Sequence, residues 1–277
     1  MNPISAEKSV GFSVGIEQFR PKCWHIICIT TPAELYPFME PNITAEVLIQ
    51  RQYYAKTARK YNEMHVNQGD EHFLSLCVML GAVDFLGVTS ILDIGSGTGR
   101  AIAHTQANRP DLTIKGVEPV RELREMGHAR GISPDDLIEG NALALQFEDG
   151  AFDMVCEFGV LHHIKTPELA IKEMLRVAKK AVFISDSNNF GQGSFLGRSF
   201  KQVLDHLGLW RVADLVKTKG RGYSITEGDG LAYSYSVFNN YDQIRQQCKS
   251  IHLLNTVPAG INPYRTAGHV AVLGIKR

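Results

Sequence analysis

The feature that most constrains the fold of this chain is an apolar run that leads into a glycine-rich turn. Residues 91–100 read Ile-Leu-Asp-Ile-Gly-Ser-Gly-Thr-Gly-Arg, with glycines at positions 95, 97 and 99. The apolar residues predict a buried strand, and the residues from Arg100 to Ala107 predict a helix. Glycines permit unusual backbone angles and let a ligand approach the main chain closely. At a junction between a strand and a helix, this pattern indicates a ligand-binding turn.

Strand-like and helix-like patterns alternate through the central part of the chain. The predicted elements after the turn are 112–118 (strand), 120–130 (helix), 136–138 (strand), 152–158 (strand), 167–178 (helix) and 181–185 (strand). Strands that alternate with helices predict a parallel sheet with helices on both faces. The apolar runs at 250–257 and 269–275, with turns between them, predict an antiparallel pair that closes the sheet.

The less regular segments define the predicted domain organisation. Residues 1–41 are interpreted as an N-terminal extension of unclear structure, and residues 42–277 as the main domain. Within that domain, residues 42–88 are expected to supply N-terminal helices. Residues 188–239 interrupt the alternation and are rich in Gly, Ser and Tyr, so we interpret them as an insertion.

Inside these segments the patterns are weaker but still specific. The N-terminal helices are expected at 43–65, with Thr44 as a possible N-cap, and at 73–86. The extension contains a candidate strand at 25–30, and the insertion contains one predicted helix near 200–207.

Composition excludes several classes of protein. The chain has 277 residues, and its 29 Lys and Arg residues balance 29 Asp and Glu residues, whereas nucleic-acid binders usually carry a basic excess. The five cysteines form no CxxC pair, which disfavours a disulfide or zinc framework and favours a reducing compartment. The sequence has no signal pattern, and its longest apolar stretch, 76–88, is too short to span a bilayer. We therefore expect a cytoplasmic protein without a nucleic-acid partner or membrane span; the oligomeric state stays open.

Further motifs follow the glycine turn in a characteristic order. Glu118 ends the second strand, Asn-Ala at 141–142 follows the third, and Leu-His-His at 161–163 follows the fourth. Together with 91–100, these motifs resemble those of the class I S-adenosylmethionine-dependent methyltransferases, in particular the small-molecule and quinone-type subgroup. The resemblance implies a Rossmann-like α/β fold: a seven-stranded, mostly parallel sheet with an antiparallel final strand, helices on both faces, N-terminal helices and a lid insertion.

The resemblance also implies that S-adenosylmethionine is the methyl donor and which residues bind it. The implied cofactor-binding residues are Asp93, Gly95, Ser96, Gly97, Gly99, Glu118, Asn141, Ala142, Glu157, Tyr54 and Tyr61. An acidic residue such as Glu118 can accept hydrogen bonds from both ribose hydroxyls. Asn141 replaces an Asp that the family often carries beside the adenine. Tyr54 and Tyr61 are seven positions apart, so they share one face of the predicted helix, and packing against the sheet is the alternative to ligand contact.

Two histidines are candidates for acid–base chemistry. A histidine titrates near neutral pH, so His162 or His163 can remove a proton from an acceptor hydroxyl; packing or loop structure is the alternative. No metal site is predicted. Oxygen ligands at Glu157, Asp186 and 188–189 resemble the magnesium site of catechol-type methyltransferases, but the rest of that pattern is not present.

The predicted function is transfer of a methyl group from S-adenosylmethionine to an oxygen, nitrogen or carbon nucleophile of a small organic acceptor, by in-line displacement. Aromatic residues in 188–239 suit an acceptor pocket, and the glycines there suit a lid; simple packing is the alternative. Two other functions stay open, a nicotinamide-dependent oxidoreductase and a non-catalytic scaffold or subunit of the same fold.

Overall fold

The structure is a computed structural model that describes residues 44–258 and 261–277. The predicted 1–41 extension, with its candidate strand at 25–30, lies outside the described residues. Within them, no helix is sufficiently long and apolar to cross a bilayer.

Seven strands form one sheet, and two more form a separate hairpin. In chain order the strands are β1 Ser90–Ile94, β2 Thr113–Val117, β3 Leu137–Ile138, β4 Phe152–Phe158, β5 Ala178–Ser187, β6 Tyr223–Thr226, β7 Gly230–Tyr233, β8 Cys248–Asn255 and β9 His269–Lys276. The sheet order is β3-β2-β1-β4-β5-β9-β8, and β6 pairs with β7. Strands β1 to β5 are parallel, whereas β9 runs antiparallel to both β5 and β8. The predicted Rossmann-like sheet and its antiparallel closure are confirmed.

Helices cover both faces of this sheet. In chain order they are α1 Ala45–Thr57, α2 Tyr61–His65, α3 Glu71–Leu86, α4 Arg100–Asn108, α5 Arg121–His128, α6 Pro167–Val177, α7 Phe195–His206, α8 Trp210–Lys217 and α9 Tyr241–Gln247. Successive strand residues point to opposite faces: Val155 packs with the layer that includes α6, and Met154 with the layer that includes α3. Both faces of β4 and β5 are therefore dry, as expected for apolar strands in a parallel sheet.

The N-terminal helical region differs from its prediction. The expected continuous helix over 43–65 is wrong, because a 3-10 turn at Ala58–Lys60 separates α1 from α2. Ala58 is buried against Val120 and Leu123 near the start of α5, so tertiary packing overrides the local helical pattern. Thr44 occupies the N-cap position of α1, but its side chain makes no capping hydrogen bond.

The second N-terminal helix agrees with its prediction. In α3, the Asp70 side chain accepts a hydrogen bond from the Phe73 main-chain N–H at 2.6 Å, and Gly87 closes the helix with φ of 60°. The segment 188–239 is more structured than predicted: the helix expected near 200–207 begins at Phe195, and α8 and the β6–β7 hairpin were not predicted.

Candidate active site

The glycine turn, residues 95–99, joins β1 to α4 at the carboxyl edge of the sheet. Gly95, Gly97 and Gly99 have φ of 64°, 56° and 82°, a region that glycine adopts without strain. A Cβ atom on Gly97 would lie 2.6 Å from the Tyr61 hydroxyl oxygen, and one on Gly95 would overlap the Val160 side chain. The turn is therefore a close-packed cradle that only glycine can form.

Two buried carboxyl groups flank the glycine turn. Glu118 accepts hydrogen bonds from the Gly97 N–H at 3.0 Å and from the Val120 N–H at 2.8 Å. Burial raises the pKa of Glu118 to about 7 despite these two hydrogen bonds, and burial raises the pKa of Asp93 to about 7 as well. Both carboxyl groups therefore titrate near neutral pH, and a polar ligand that donates hydrogen bonds to them would favour their ionised forms.

The N-terminal helices cover this turn through polar side chains. The Thr98 hydroxyl donates to the Asn62 side-chain oxygen at 2.6 Å, and the Arg100 guanidinium lies 2.7 Å from the Asp70 carboxylate. Between the helices and the turn lies a small cavity of about 30 Å³. The residues around it include Tyr61, His65, Asp93, Gly95, Ser96 and Phe158. Asn62, Asp70 and His65 were not predicted as site residues, because they belong to no sequence motif.

Several implied cofactor residues are engaged in structural hydrogen bonds. The Ser96 hydroxyl donates to the Asp93 main-chain oxygen, and the Asn141 side-chain oxygen accepts from the Leu143 N–H. The Glu157 carboxylate is fully buried and accepts from two main-chain N–H groups, those of Val160 and Ser185. Burial first, and then the nearby Asp186, raise the pKa of Glu157 well above its usual value.

The remaining implied cofactor-binding residues are Ala142 and the two tyrosines, Tyr54 and Tyr61. Ala142 is partly buried against the core, beside β3. Tyr54 and Tyr61 share a surface despite the 3-10 turn between them, with ring centroids 5.7 Å apart. Only Tyr61 lines the cavity above the glycine turn; Tyr54 instead reaches the histidines.

His162 lies between two carboxylates. Its Nδ1 is 2.7 Å from Asp186, which is fully buried, and its Nε2 is 3.2 Å from Asp229, whose side chain is 43% exposed. Burial alone would lower the pKa of His162, but the two carboxylates outweigh it and raise the pKa well above 6.5. Burial would likewise raise the pKa of Asp186, but His162 lowers it below its usual value. His162 is therefore an imidazolium that donates from both nitrogens.

His163 is held in the opposite protonation state. Its Nδ1 lies 2.6 Å from the Leu231 carbonyl oxygen, so this nitrogen carries a proton, and its Nε2 accepts from the Tyr54 hydroxyl at 2.9 Å. Burial, and then the charge of His162, lower the pKa of His163. Gln50 adds a further link, since its side-chain oxygen accepts from the Leu231 N–H. We define the histidine cluster as His162, His163, Asp186, Asp229 and Tyr54.

This cluster joins segments that are far apart in the chain. Tyr54 comes from α1, Asp186 from β5, and Asp229 from the turn between β6 and β7. The two histidines and Tyr54 were predicted from the sequence, but Asp229 was not, because no local pattern marks it. Asn188, one of the residues that resembled a magnesium site, has a structural role, since its amide nitrogen donates to the Pro263, Tyr264 and Ala267 carbonyl oxygens.

Comparison with known proteins supplies the family. Residues 92–184 match the family described as a methyltransferase domain. Ajmaline N-methyltransferase from Rauvolfia serpentina is 32% identical over 100 residues, which cover 34% of this chain and 34% of that protein. Demethylmenaquinone methyltransferase from Staphylococcus aureus is 34% identical over 94 residues, 33% of this chain and 39% of that protein.

Residues 92–184 therefore match a methyltransferase domain, and the chain is similar to the class I S-adenosylmethionine-dependent methyltransferases. The sequence match spans only about a third of the length of these curated relatives. The cofactor of this class is S-adenosylmethionine, and the residues present fit it. The glycine turn packs closely against Tyr61 and Val160 beside the cavity, and two buried carboxyl groups, Asp93 and Glu118, offer acceptors for hydroxyl and ammonium groups.

Solved structures agree with the methyltransferase fold. One is an S-adenosylmethionine-dependent methyltransferase from Thermotoga maritima, described as a possible histamine N-methyltransferase. It is 20% identical, with a TM-score of 0.51 over 82% of this chain and 99% of that chain. Another is a phosphoethanolamine N-methyltransferase from Haemonchus contortus, 15% identical, with a TM-score of 0.52 over 82% of this chain and 60% of that chain. At these identities, the likeness supports the fold alone.

Proposed function

We propose that this protein transfers a methyl group from S-adenosylmethionine to an oxygen, nitrogen or carbon nucleophile of a small organic acceptor. The observation that carries the proposal is the glycine turn, with the buried Glu118 bound to its main chain. Bound S-adenosylmethionine supplies an already activated methyl group on its sulfonium, so in-line positioning provides much of the acceleration.

The chain's own residues would bind and orient the donor. Glu118 is expected to accept from the ribose hydroxyls, because its carboxylate retains lone pairs beyond those used by Gly97 and Val120. Asp93 and the Gly95 main chain would bind the methionine portion, and the Tyr61 ring would exclude water above it. Asn141 would contact the adenine through its amide, and Ala142 would lie beside it.

The acceptor is expected at the same edge of the sheet. In parallel sheets ligands bind beyond the carboxyl ends of the strands, and the segment 188–239 is available to cover that edge. Its aromatic residues divide into two groups: Phe190 and Tyr235 are buried, whereas Phe195 and Phe200 are mostly exposed. This division supports the expectation that some of these aromatics pack the insertion and that others remain available to an acceptor.

The two histidines have a more specific role in this proposal. As arranged, both nitrogens of His162 and both nitrogens of His163 already have protein partners. We propose that they hold α1 and the β6–β7 turn together. A general-base role stays a prediction, and it requires the histidine cluster to open.

The first experiment is calorimetric titration with S-adenosylmethionine and with S-adenosylhomocysteine. The variant is Glu118→Ala, and the matched control is Glu122→Ala, which removes an exposed carboxylate four positions away on α5. Hydrogen bonds to a charged group contribute about 1.5–3 kcal/mol each, so Glu118→Ala should weaken binding by about 100-fold while the control binds normally.

The outcomes separate the open functions. Binding that depends on Glu118 supports the methyl-donor site and justifies a screen of small acceptors for release of S-adenosylhomocysteine. Binding without turnover on any acceptor would favour the non-catalytic scaffold. If the folded wild type binds neither compound but binds a reduced nicotinamide, the proposal is wrong and an oxidoreductase takes its place.

A further inference from the structure

Two histidines that the proposed function does not use meet at the carboxyl edge of the sheet. His72 is the second residue of α3, and His269 is the first residue of β9. Their ring centroids lie 4.5 Å apart, and the rings are nearly perpendicular. One potential ligand atom from each histidine and from Glu71 lies within 4.8 Å of the others.

We propose that Glu71, His72 and His269 bind a divalent transition-metal ion of the Zn²⁺ type. Zinc sites with three protein ligands and an open fourth position use this kind of set, two imidazoles and a carboxylate. Metal–ligand bonds of about 2.0–2.2 Å place ligand atoms about 3–4 Å apart, so small side-chain rotations would complete the site.

The hydrogen bonds around His72 leave one nitrogen free to bind. His72 Nδ1 lies 3.4 Å from the Ser185 hydroxyl, which donates to the Ser75 hydroxyl at 2.8 Å, and that group donates to the Glu71 main-chain oxygen at 2.7 Å. Because both hydroxyl protons are used along this chain, Ser185 can only accept from His72. The proton of His72 is therefore on Nδ1, and Nε2 carries the lone pair.

His269 has the clearer indication of a missing ligand. Its Nδ1 lies 2.7 Å from the Thr256 hydroxyl, which orients the ring. The whole residue is only 6% exposed. Its Nε2 is buried and has no hydrogen-bond partner among residues 44–258 and 261–277. A buried nitrogen left unpaired is unfavourable, and a metal ion would satisfy it. Histidine ligands commonly donate the N–H of the opposite ring nitrogen to an acceptor, and the Thr256 hydroxyl oxygen can accept here.

The surroundings of the two histidines favour a cation. The Glu71 carboxylate makes no side-chain hydrogen bond within the described residues. Gly159, directly after β4, lets the His72 ring lie close to the main chain, since a Cβ atom on this residue would lie 2.9 Å from His72 Nε2.

A second group of possible ligands, His162, His163 and Asp229, is less suitable. Their ligand atoms also lie close together, but the four ring nitrogens already contact Asp186, Asp229, Tyr54 and the Leu231 carbonyl. Metal binding there would displace an existing partner from each of the two histidines, whereas binding at His72 and His269 supplies a partner that is missing.

The test is titration of the metal-free full chain with Co²⁺, read by its d–d absorption, followed by displacement with Zn²⁺ in a calorimeter. The site variants are His269→Gln and Glu71→Gln, and His252→Gln is the control because His252 is exposed on β8. We expect one ion per chain, with affinity at least about tenfold lower in each site variant and unchanged in the control.

Urea unfolding of each variant separates lost ligands from lost structure. Glu71→Gln is decisive if His269→Gln fails to fold, because the Glu71 carboxylate has no structural partner to lose. The proposal is overturned if the wild type binds no ion, if Glu71→Gln binds normally, or if Asp229→Asn abolishes binding instead. None of these readouts depends on S-adenosylmethionine, so this inference and the proposed function can fail separately.

Discussion

The glycine turn and the histidine cluster are built in different ways, although both belong to the carboxyl edge of the sheet. The turn is fixed mainly by its own backbone and by Glu118, which is 21 positions away from Gly97. The cluster depends on side chains that are 24 to 109 positions apart, such as His162 with Asp186 and Tyr54 with His163. Local geometry thus determines the glycine turn, and long-range electrostatics hold α1 and the β6–β7 turn to the histidines.

This difference predicts that substitutions in the glycine turn and in the histidine cluster destabilise the protein by different mechanisms. Substitution of a glycine in the turn acts through sterics and does not depend on pH, whereas a substitution in the histidine cluster acts through charge. The contribution of His162 to stability is fully present below pH 6.5 and is lost only as the pH rises through its raised folded pKa. The contribution of Asp186 is present above pH 3.8 and is lost as the pH falls through its lowered folded pKa.

The largest effect is expected from Asp186→Asn. Removing one partner of a buried ion pair leaves His162 poorly compensated, so the free energy of unfolding should fall by about 3 kcal/mol. Asp229→Asn is the matched control on the other ring nitrogen; its carboxylate is 43% exposed, and we expect a loss of about 1 kcal/mol. Urea unfolding at neutral pH measures both. Equal losses in the free energy of unfolding would mean that His162 and Asp186 do not form an electrostatically coupled pair.

A smaller effect is expected in the turn from Gly95→Ala. The substitution forces a non-glycine residue to adopt φ of 64° and brings its Cβ against Val160, which together should cost about 2–3 kcal/mol. Gly131→Ala is the control, because Gly131 has φ of 97° but has open space around it, so only the backbone cost of about 1 kcal/mol remains. If the free energy of unfolding falls equally in the two variants, the contact of the new Cβ with Val160 does not destabilise the protein.

The same contrast explains what the sequence could predict. The bounds of β4 were predicted correctly, and β1 lies where the apolar run before the glycine turn predicts a strand, because short apolar runs and adjacent turn residues mark both. The break at Ala58–Lys60 and the partnership of His162 with Asp229, 67 positions away, were not predictable, because only the folded chain brings these groups together. The His72–His269 pair was missed for the same reason.

The next prediction concerns Glu118, beside the glycine turn, and the pH dependence of the affinity for S-adenosylmethionine. Burial raises the pKa of Glu118 from 4.5 to about 7, so in the free protein this group disfavours folding increasingly as the pH rises from 4.5 to 7. A ribose that donates to the carboxylate reverses that preference. Affinity for S-adenosylmethionine should therefore rise up to about tenfold per pH unit toward pH 7 and level off about one unit above it.

Calorimetric titration at about pH 6, 7 and 8 measures this dependence. Glu118→Gln is the control, since it keeps the shape but cannot ionise, and the part of the slope that belongs to Glu118 should disappear. A slope that is unchanged in the variant would assign the dependence to Asp93, whose pKa burial also raises to about 7.

The smallest effect is expected from Tyr54→Phe, which removes one hydrogen bond of the histidine cluster and keeps the ring contacts. The hydroxyl lost is the donor to His163 Nε2 at 2.9 Å, and a single hydrogen bond of this kind contributes about 1 kcal/mol. Tyr53→Phe is the control in the next position, because its hydroxyl donates to the Glu227 carbonyl oxygen at the exposed surface.

If the cluster holds α1 against the β6–β7 turn, Tyr54→Phe should lower both the free energy of unfolding and, by about fivefold, the affinity for S-adenosylmethionine. Tyr53→Phe should change neither measurably. The ring nitrogens of His163, followed by NMR, should keep the proton on Nδ1, because the Leu231 carbonyl still accepts it. A shift of that proton to Nε2 would mean that Tyr54, and not Leu231, determines the tautomer, and would return His163 to consideration as a base.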